Sequence, residues 1–424
     1  MTRNRPHSYR RRGSMYVAVL GTSMMITVIG YSALTLARVE RSSAEGSSDF
    51  TAARFYAQSA IEMGQHYIRE NPNWRSNYSD EPPRFPKPIG TGEYSFEVTD
   101  GTGDGDGDLK DNTSESIILR GTGWEGQSRY KLQVTMVNKI EPLTCLEVAM
   151  HAGTSIAFDN AQVQSNQATI SANSTVAASS SSIYPAVEAV SGLSGGTYHS
   201  ATNTGIAART MPGLSAFDHY VLNGTPILYS TLVLLHGGEI RETVLSPNSN
   251  PYGLTNPNGV YVINCSGGDL RIRNARIVGT LVVLNARRVR VEDSISWEPA
   301  VSNYPSLLVS GDAELRYTNE TLKKSSTNVN FNPAGTPYGA SVTTDTDKSD
   351  SYPSKIIGLV YVSSNIQTEN HVTIDGVLVA GAKIDATGNL DLTYRSTFYD
   401  NPPPGFGEAP KMVISPGTWK QLVD

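Results

Sequence analysis

The sequence predicts a mainly β protein behind a long helix. A transmembrane and amphipathic α-helix comes first, then a small antiparallel sheet, then a right-handed parallel β-helix (β-solenoid). Three observations carry this. Residues 14–37 hold no charge. Runs between residues 92 and 140 alternate apolar and polar side chains, the period of a half-buried strand. From about residue 143, short apolar runs recur at a spacing near 20, with Gly, Asn, Ser and Asp between them.

The charge-free run follows a basic tail. Arg3, Arg5, Arg10, Arg11 and Arg12 give residues 1–13 a charge of +5, while the 424-residue chain carries −6 in total, which leaves −11 for the rest. As a helix, residues 14–37 rise about 36 Å, more than the ~30 Å hydrocarbon core of a bilayer. A cleaved signal peptide has a shorter apolar region and a small-x-small site, which "SALTLARVE" lacks. The positive-inside rule places the tail in the cytoplasm and the body outside, as a single-pass membrane protein. So acidic a body excludes nucleic acid as a partner, and the tail suits the anionic headgroups of the cytoplasmic membrane.

The helical pattern continues through residues 38–71. Ala53, Tyr56, Ala57, Ala60, Ile61, Gly64, Tyr67 and Ile68 fall on one face at spacings of three and four. Asn71-Pro72 marks the stop, because a residue before proline is pushed out of the α region.

A basic tail, a glycine, a long apolar helix and the small-residue stripe "AARFYAQSAIEMG" together resemble the N-terminus of type IV pilin-like proteins, the PilX-like minor pilins in particular, over roughly residues 8–75. The resemblance implies cleavage after Gly13 and N-methylation of Ser14. It also implies other pilin-like subunits as partners. That family carries a glutamate at the fifth position after the cut, which pairs with a neighbour's N-terminus during assembly. Here that position is Ala18. A plain signal anchor is the alternative.

Residues 72–142 open on the stiff "PPRFPKP" and continue as "GEYSFEVTD", "SESIILRGTGW" and "SRYKLQVTMVNKI". Tyr94, Phe96 and Val98 alternate with polar residues, as do Tyr130, Leu132, Val134 and Met136, so a meander on the helix is expected. Between the first two strands, Asp104, Asp106, Asp108 and Glu115 have part of the spacing of a calcium loop. Leu109 occupies the position where an EF-hand needs glycine. An acidic turn is the simpler reading and a calcium site the alternative; no other cofactor is expected.

Residues 143–424 read as stacked rungs. "GVYVINCSGGDLRIRNARIV" and "GTLVVLNARRVRVEDSISWE" start 20 residues apart, at Gly259 and Gly279; a second pair starts 18 apart, at Gly358 and Gly376. Val260, Val262, Leu281, Val283, Val289, Val291, Val360 and Val379 are assigned inward, and Asn264 and Asn285 to a polar ladder. Stretches near 203–258 and 310–353 break the period and are expected as projecting loops. "NPPPGFGEAP" and "MVISPGTW" are expected to close the last rung. Cys145 and Cys265 fit no metal motif; they are either a disulfide or two buried thiols.

Parallel β-helices also host polysaccharide lyases and glycosidases, whose chemistry needs paired carboxylates. Asp345 with Asp347, and Glu292 with Asp293, are the candidates, with Arg287, Arg288 and Arg290 as basic groups. Each reads more simply as surface charge, and no P-loop or GxSxG motif is present. The sequence therefore points to a non-enzymatic, membrane-anchored pilin-like or envelope surface protein, adhesive through its solenoid and in contact with envelope polymers. An anchored carbohydrate-active enzyme is the alternative.

Overall fold

A single unbroken helix, α1 (Gly13–Glu70), runs through both N-terminal helical stretches. The computed structural model describes residues 13–78, 86–101, 108–110, 115–166, 168–338 and 349–423. The chain divides into two units, Met1–Lys139 with Pro410–Asp424, and Ile140–Ala409.

In the first unit, every side chain of α1 from Met15 to Ser48 is exposed. Beyond that the helix becomes two-faced: Ala53, Ala57, Ala60, Ile61, Gly64 and Ile68 are buried, with Tyr56 and Tyr67 half-buried beside them. The Asn71 side-chain amide donates to the Tyr67 carbonyl at 2.8 Å, which satisfies an orphan acceptor of the last turn. The stripe lies on an antiparallel sheet of β1 (Lys87–Ile89), β2 (Gly92–Asp100), β3 (Ile117–Glu125) and β4 (Ser128–Lys139), in that order. Phe96, Val98, Ile117, Leu119, Val134 and Met136 form its inner face.

Gly121 and Gly123 are the closest approach of sheet and helix. A Cβ at Gly121 would run into the Ala57 carbonyl oxygen, and one at Gly123 into that of Ala53. Small residues on both elements therefore set the spacing.

The C-terminus corrects the sequence expectation. Lys411–Ile414 pairs antiparallel with β4, Val413 opposite Val137, and Lys420–Leu422 pairs with the same strand, Lys420 opposite Gln133. Instead of closing the last rung, this segment covers β4, which would otherwise present unpaired N–H and C=O groups.

The second unit is built on a 19-stranded sheet in which every pairing is parallel, with a separate antiparallel pair, Leu322–Lys323 and Ser351–Tyr352, in its insertion. The offsets match the sequence period: Val260 opposes Thr280, and Gly358 opposes Gly376. Spatial order is not chain order. Met150–Ala152 lies between Thr169–Ala172 and His371–Ala380. From there the strands run to one end at Thr202–Thr204. The chain returns at Thr225–Pro226, which pairs with Val260–Asn264, and the strands then lead back to the start. Entry and exit are side by side: Pro142 and Gly407 form a bridge, and the Leu143 N–H donates to the Phe406 carbonyl at 3.1 Å.

Both predicted loops are smaller than expected. Residues 203–258 hold the strands Thr225–Pro226 and Glu239–Leu245 and the helices Asp218–Asn223 and Tyr229–His236. Asp312–Tyr317 pairs with Arg288–Asp293, so the second insertion starts at Thr318. Tyrosines and prolines hid these short strands.

The inward set needs one correction. Leu281, Val283, Val289, Val291 and Val360 join the main core, but Val260 and Val379 are buried in a second cluster on the other side of their strands, and Val262 packs against it. Tyr261, Ile263 and Leu378 point inward there. A strand covered on both faces is apolar at every position, so alternation carries no information. The Asn285 amide donates to Asn264 Oδ1 at 3.2 Å, and Asn285 adopts a left-handed φ of 51°. Cys145 and Cys265 are buried free thiols in different clusters.

Replacing Gly121 by valine would wedge the helix from the sheet and cost about 1–3 kcal/mol, the usual overpacking penalty; a lowered unfolding midpoint for the first unit checks it. Val283→Asp would put an unpaired carboxylate in the second unit's core and cost about 3–5 kcal/mol, read as early loss of strand circular dichroism.

Candidate functional site

One outward row of the parallel sheet is buried under a second layer. Register places Val282, Leu308, Tyr361, Val379, His151, Ser171 and Glu188 in successive strands. Its apolar half lies in one cluster with Leu146, Phe217, Tyr220, Phe398 and Phe406. Its polar half is clamped by Arg209. That guanidinium donates to the Thr144 carbonyl at 2.8 Å, Glu147 at 2.5 Å, Glu188 at 3.0 Å and Ser171 Oγ at 3.2 Å. Burial opposes the Arg209 charge, but the bonds it donates to Glu188 and Glu147 outweigh it and raise its pKa.

His151 sits in this row, fully buried, with neither ring nitrogen hydrogen-bonded. Burial first, and the Arg209 charge second, push its pKa down to about 3. The ring is therefore neutral at neutral pH and sealed from substrate, a packing residue. Burial also pushes the thiols of Cys145 and Cys265 up to about 12, so neither supplies a thiolate.

The second polar constellation is an ionic ladder that is partly exposed, with Glu314 buried at its centre. Arg287 makes two bonds to Asp269, at 2.8 and 2.7 Å. Arg288 and Arg290 reach Glu314 at 2.6 and 2.9 Å, and Arg316 bridges Glu314 and Glu369. Glu292 stands between Arg273 and Arg316 in register, and Asp293, in a left-handed turn at φ 60°, pairs with Arg273 at 3.0 Å. The carboxylates named as catalytic candidates here each face an arginine. That is the geometry of a cross-strand ionic ladder. Asp345 and Asp347 lie outside the described residues.

Arg276 anchors the insertion that begins at Thr318. It is 1% exposed and donates to the carbonyls of Phe331, Thr336 and Pro337 at 2.8, 2.7 and 3.0 Å, with Tyr338 and Tyr352 against its guanidinium. Burial lowers its pKa, against the pull of Glu298. Lys324, also buried, pairs with Asp350 at 2.5 Å. Nothing in the insertion's sequence pointed to Arg276, because it sits in an otherwise ordinary strand.

Of the calcium candidates, Asp104 and Asp106 lie outside the described residues. Asp108 Oδ1 accepts the Lys110 N–H at 2.9 Å, and the Glu115 carbonyl accepts from Arg75 at 2.8 Å. Among the described residues no group of three or more His, Cys, Asp or Glu side chains is placed to hold a metal. Gly13 and Ser14 form the first turn of α1. A groove of about 790 Å³ beside the Tyr229–His236 helix is lined by Tyr229, Ser230, Val233, Leu234, Asn264 and Ser266, which include no acid–base pair.

No family model and no curated protein matches the chain. Among solved structures, it is similar to the competence-associated pilin ComZ from Thermus thermophilus, at 10% identity and a TM-score of 0.37, over 89% of this chain and 98% of that one. It is also similar to an ice-binding protein from an Antarctic biological consortium, at 9% identity and a TM-score of 0.31, over 60% of this chain and 93% of that one.

Two outcomes follow from the buried cations and imidazole. His151 has a folded pKa near 3, below the ordinary 6.5, so the unfolded chain takes up its proton first as pH falls. The stability this contributes is whole above about pH 6.5 and is lost on acidification towards about pH 3. His151→Leu should flatten that part of the melting-temperature profile. Arg276→Met leaves buried carbonyls unpaired, at about 1–3 kcal/mol each, and should open residues 318–338 to limited proteolysis while the rest of the second unit stays intact.

Proposed function

We propose that this chain is a membrane-anchored, PilX-like minor pilin that carries a right-handed parallel β-helix outside the cytoplasmic membrane as a non-enzymatic surface element. The observation that carries the reading is α1. One continuous helix has an exposed apolar first half long enough to cross a bilayer and a second half packed by alanine and glycine onto an antiparallel sheet. A simple signal anchor has no need for that second half. The basic tail before Gly13 faces the cytoplasm and the acidic body faces outward. Ala18, where the family has glutamate, favours a minor position over repeated incorporation along a filament. The stacked parallel strands support the β-helix, with Arg276 holding its insertion as a fixed projection and adhesion as its use. The lyase or glycosidase alternative needs carboxylates facing a shared groove, and the arginine ladder around Glu292 and Asp293 gives it no support.

Mass spectrometry of the native N-terminus tests the reading. A chain beginning at methylated Ser14, with Gly13→Val leaving an uncut precursor, is the expected result. A chain beginning at Met1 or Thr2 points to a simple anchor, and one beginning near Arg38 to a removed signal. A reporter fused after Asp424 should be active only in its extracytoplasmic form.

A further inference from the structure

One outward face of the parallel sheet carries two polar rows side by side. Register builds the first from His371, Asn389, Gln162, Ser182 and Thr197 in successive strands. It builds the second from Thr373, Asp391 and Gln164. Tyr184 and His199 extend that row, their N–H groups donating to the Val163 and Ile183 carbonyls at 3.1 and 2.8 Å. Val372, Leu390, Val163 and Ile183 lie between the rows and belong to the core, so both rows stand on the outer side. Four strand spacings of about 4.8 Å make each row about 19 Å long.

Amides, an aromatic plate and the lack of basic side chains set this face apart. Elsewhere in this unit asparagine amides are tied into corners: Asn285 to Asn264, Asn365 to Asp312, Asn274 to Asp293 and Asn370 to the Arg316 carbonyl. Here Gln162, Gln164 and Asn389 are exposed, and among the described residues their amides bond no group of the chain. The rings of Tyr184 and His199 stack with centroids 4.2 Å apart and planes 9° apart. Among the described residues of this unit, Tyr184 is the one exposed Tyr, Phe or Trp. Neither row holds a lysine, arginine or glutamate. Asp391, the one carboxylate in them, accepts from His371 Nε2 at 2.7 Å. At the margin beside Thr373, Lys355 and Arg395 are both paired with Asp375. Asp159, beyond the left-handed corner at Asn160, accepts from the Asn160 amide at 3.1 Å.

We propose that this face binds a neutral polysaccharide, a chain of hexose or N-acetylhexosamine units lying along the rows. A side-chain amide presents donor and acceptor together, which matches neighbouring sugar hydroxyls or an acetamido group. The hydroxyls of Ser182, Thr197 and Thr373 add single bonds. The Tyr184–His199 plate offers an apolar surface with a polar edge to the C–H face of a sugar ring. An acidic polymer or a nucleic acid would meet neither lysine nor arginine in the rows, and one carboxylate against it. A protein partner needs large anchors such as tryptophan, arginine or leucine, and none stands in either row. Two straight rows suit an extended chain better than a single sugar. This inference names the ligand of the adhesive surface proposed above and rests on that reading for its use. It needs neither filament assembly nor a cut at Gly13.

The test is isothermal titration of the full chain, in a neutral detergent without a sugar headgroup, with glucan, N-acetylglucosamine and galacturonate oligomers of equal length. A neutral oligomer should bind more tightly than galacturonate, with an affinity that holds as salt is raised. Gln162→Ala with Gln164→Ala should weaken that binding about tenfold, and Tyr184→Ala should weaken it too. Arg287→Gln, on the ionic ladder, should leave it unchanged. The two glutamine amides bond nothing within the chain, so their double variant should melt with the parent, and it decides the question if Tyr184→Ala melts early. No binding of either neutral oligomer, tighter binding of galacturonate, or indifference to the glutamine pair would each overturn the proposal. Adhesion of cells displaying the chain is measured separately. Adhesion kept by the glutamine double variant overturns this ligand alone, and glycan binding without adhesion overturns the adhesive use alone.

Discussion

The antiparallel pairing of Lys411–Ile414 with β4 is the constraint from which the path of the chain follows. These strands are neighbours in one sheet, yet the whole second unit lies between them in sequence. That unit must therefore begin and end at the same place, as the Pro142–Gly407 bridge shows. A linear stack built in chain order would leave its first and last strands at opposite ends. The chain solves this by starting in the middle. It runs out to Thr202–Thr204, crosses to Thr225–Pro226, and returns until Leu378–Ala380 pairs with Met150–Ala152. No strand of that seam is left as an open edge.

The crossing has a structural consequence. A segment that travels along the stack covers the strands beneath it, and residues 143–147 and 205–223 lie over one outward row. The row is therefore apolar where Phe217 and Tyr220 cover it and polar where Arg209 does. His151 is enclosed at that boundary and forced neutral. The neighbouring outward row uses an ionic ladder instead, from Asp269 to Glu369, in which arginines cover the buried Glu314.

In the first unit, close approach does comparable work. Gly121 and Gly123 bring the carbonyls of α1 nearly onto β3, so at this point helix and sheet meet with no side chain between them. The opposite sheet face carries charge of both signs, Glu93 and Glu97 on β2 beside Arg120 on β3 and Arg129 and Lys131 on β4.

Much of this protein is determined locally. A charge-free run, helical spacing up to Asn71, strand alternation and a repeat near 20 are properties of neighbouring residues, because helix and strand periods are set by the backbone. They placed α1, β2 and the inward Leu281, Val283, Val289 and Val291. The sequence could not show which strands meet across long separations. Pairing of residue 378 with residue 150, or of 413 with 137, depends on loop closure and on where a free edge needs covering, and neither leaves a local pattern. For the same reason Val260 and Val379 were assigned to the wrong side: only the tertiary structure lays a second layer over them. The bonding of Arg276 and Arg209 is likewise a product of assembly, because each draws its partners from segments far apart in the chain.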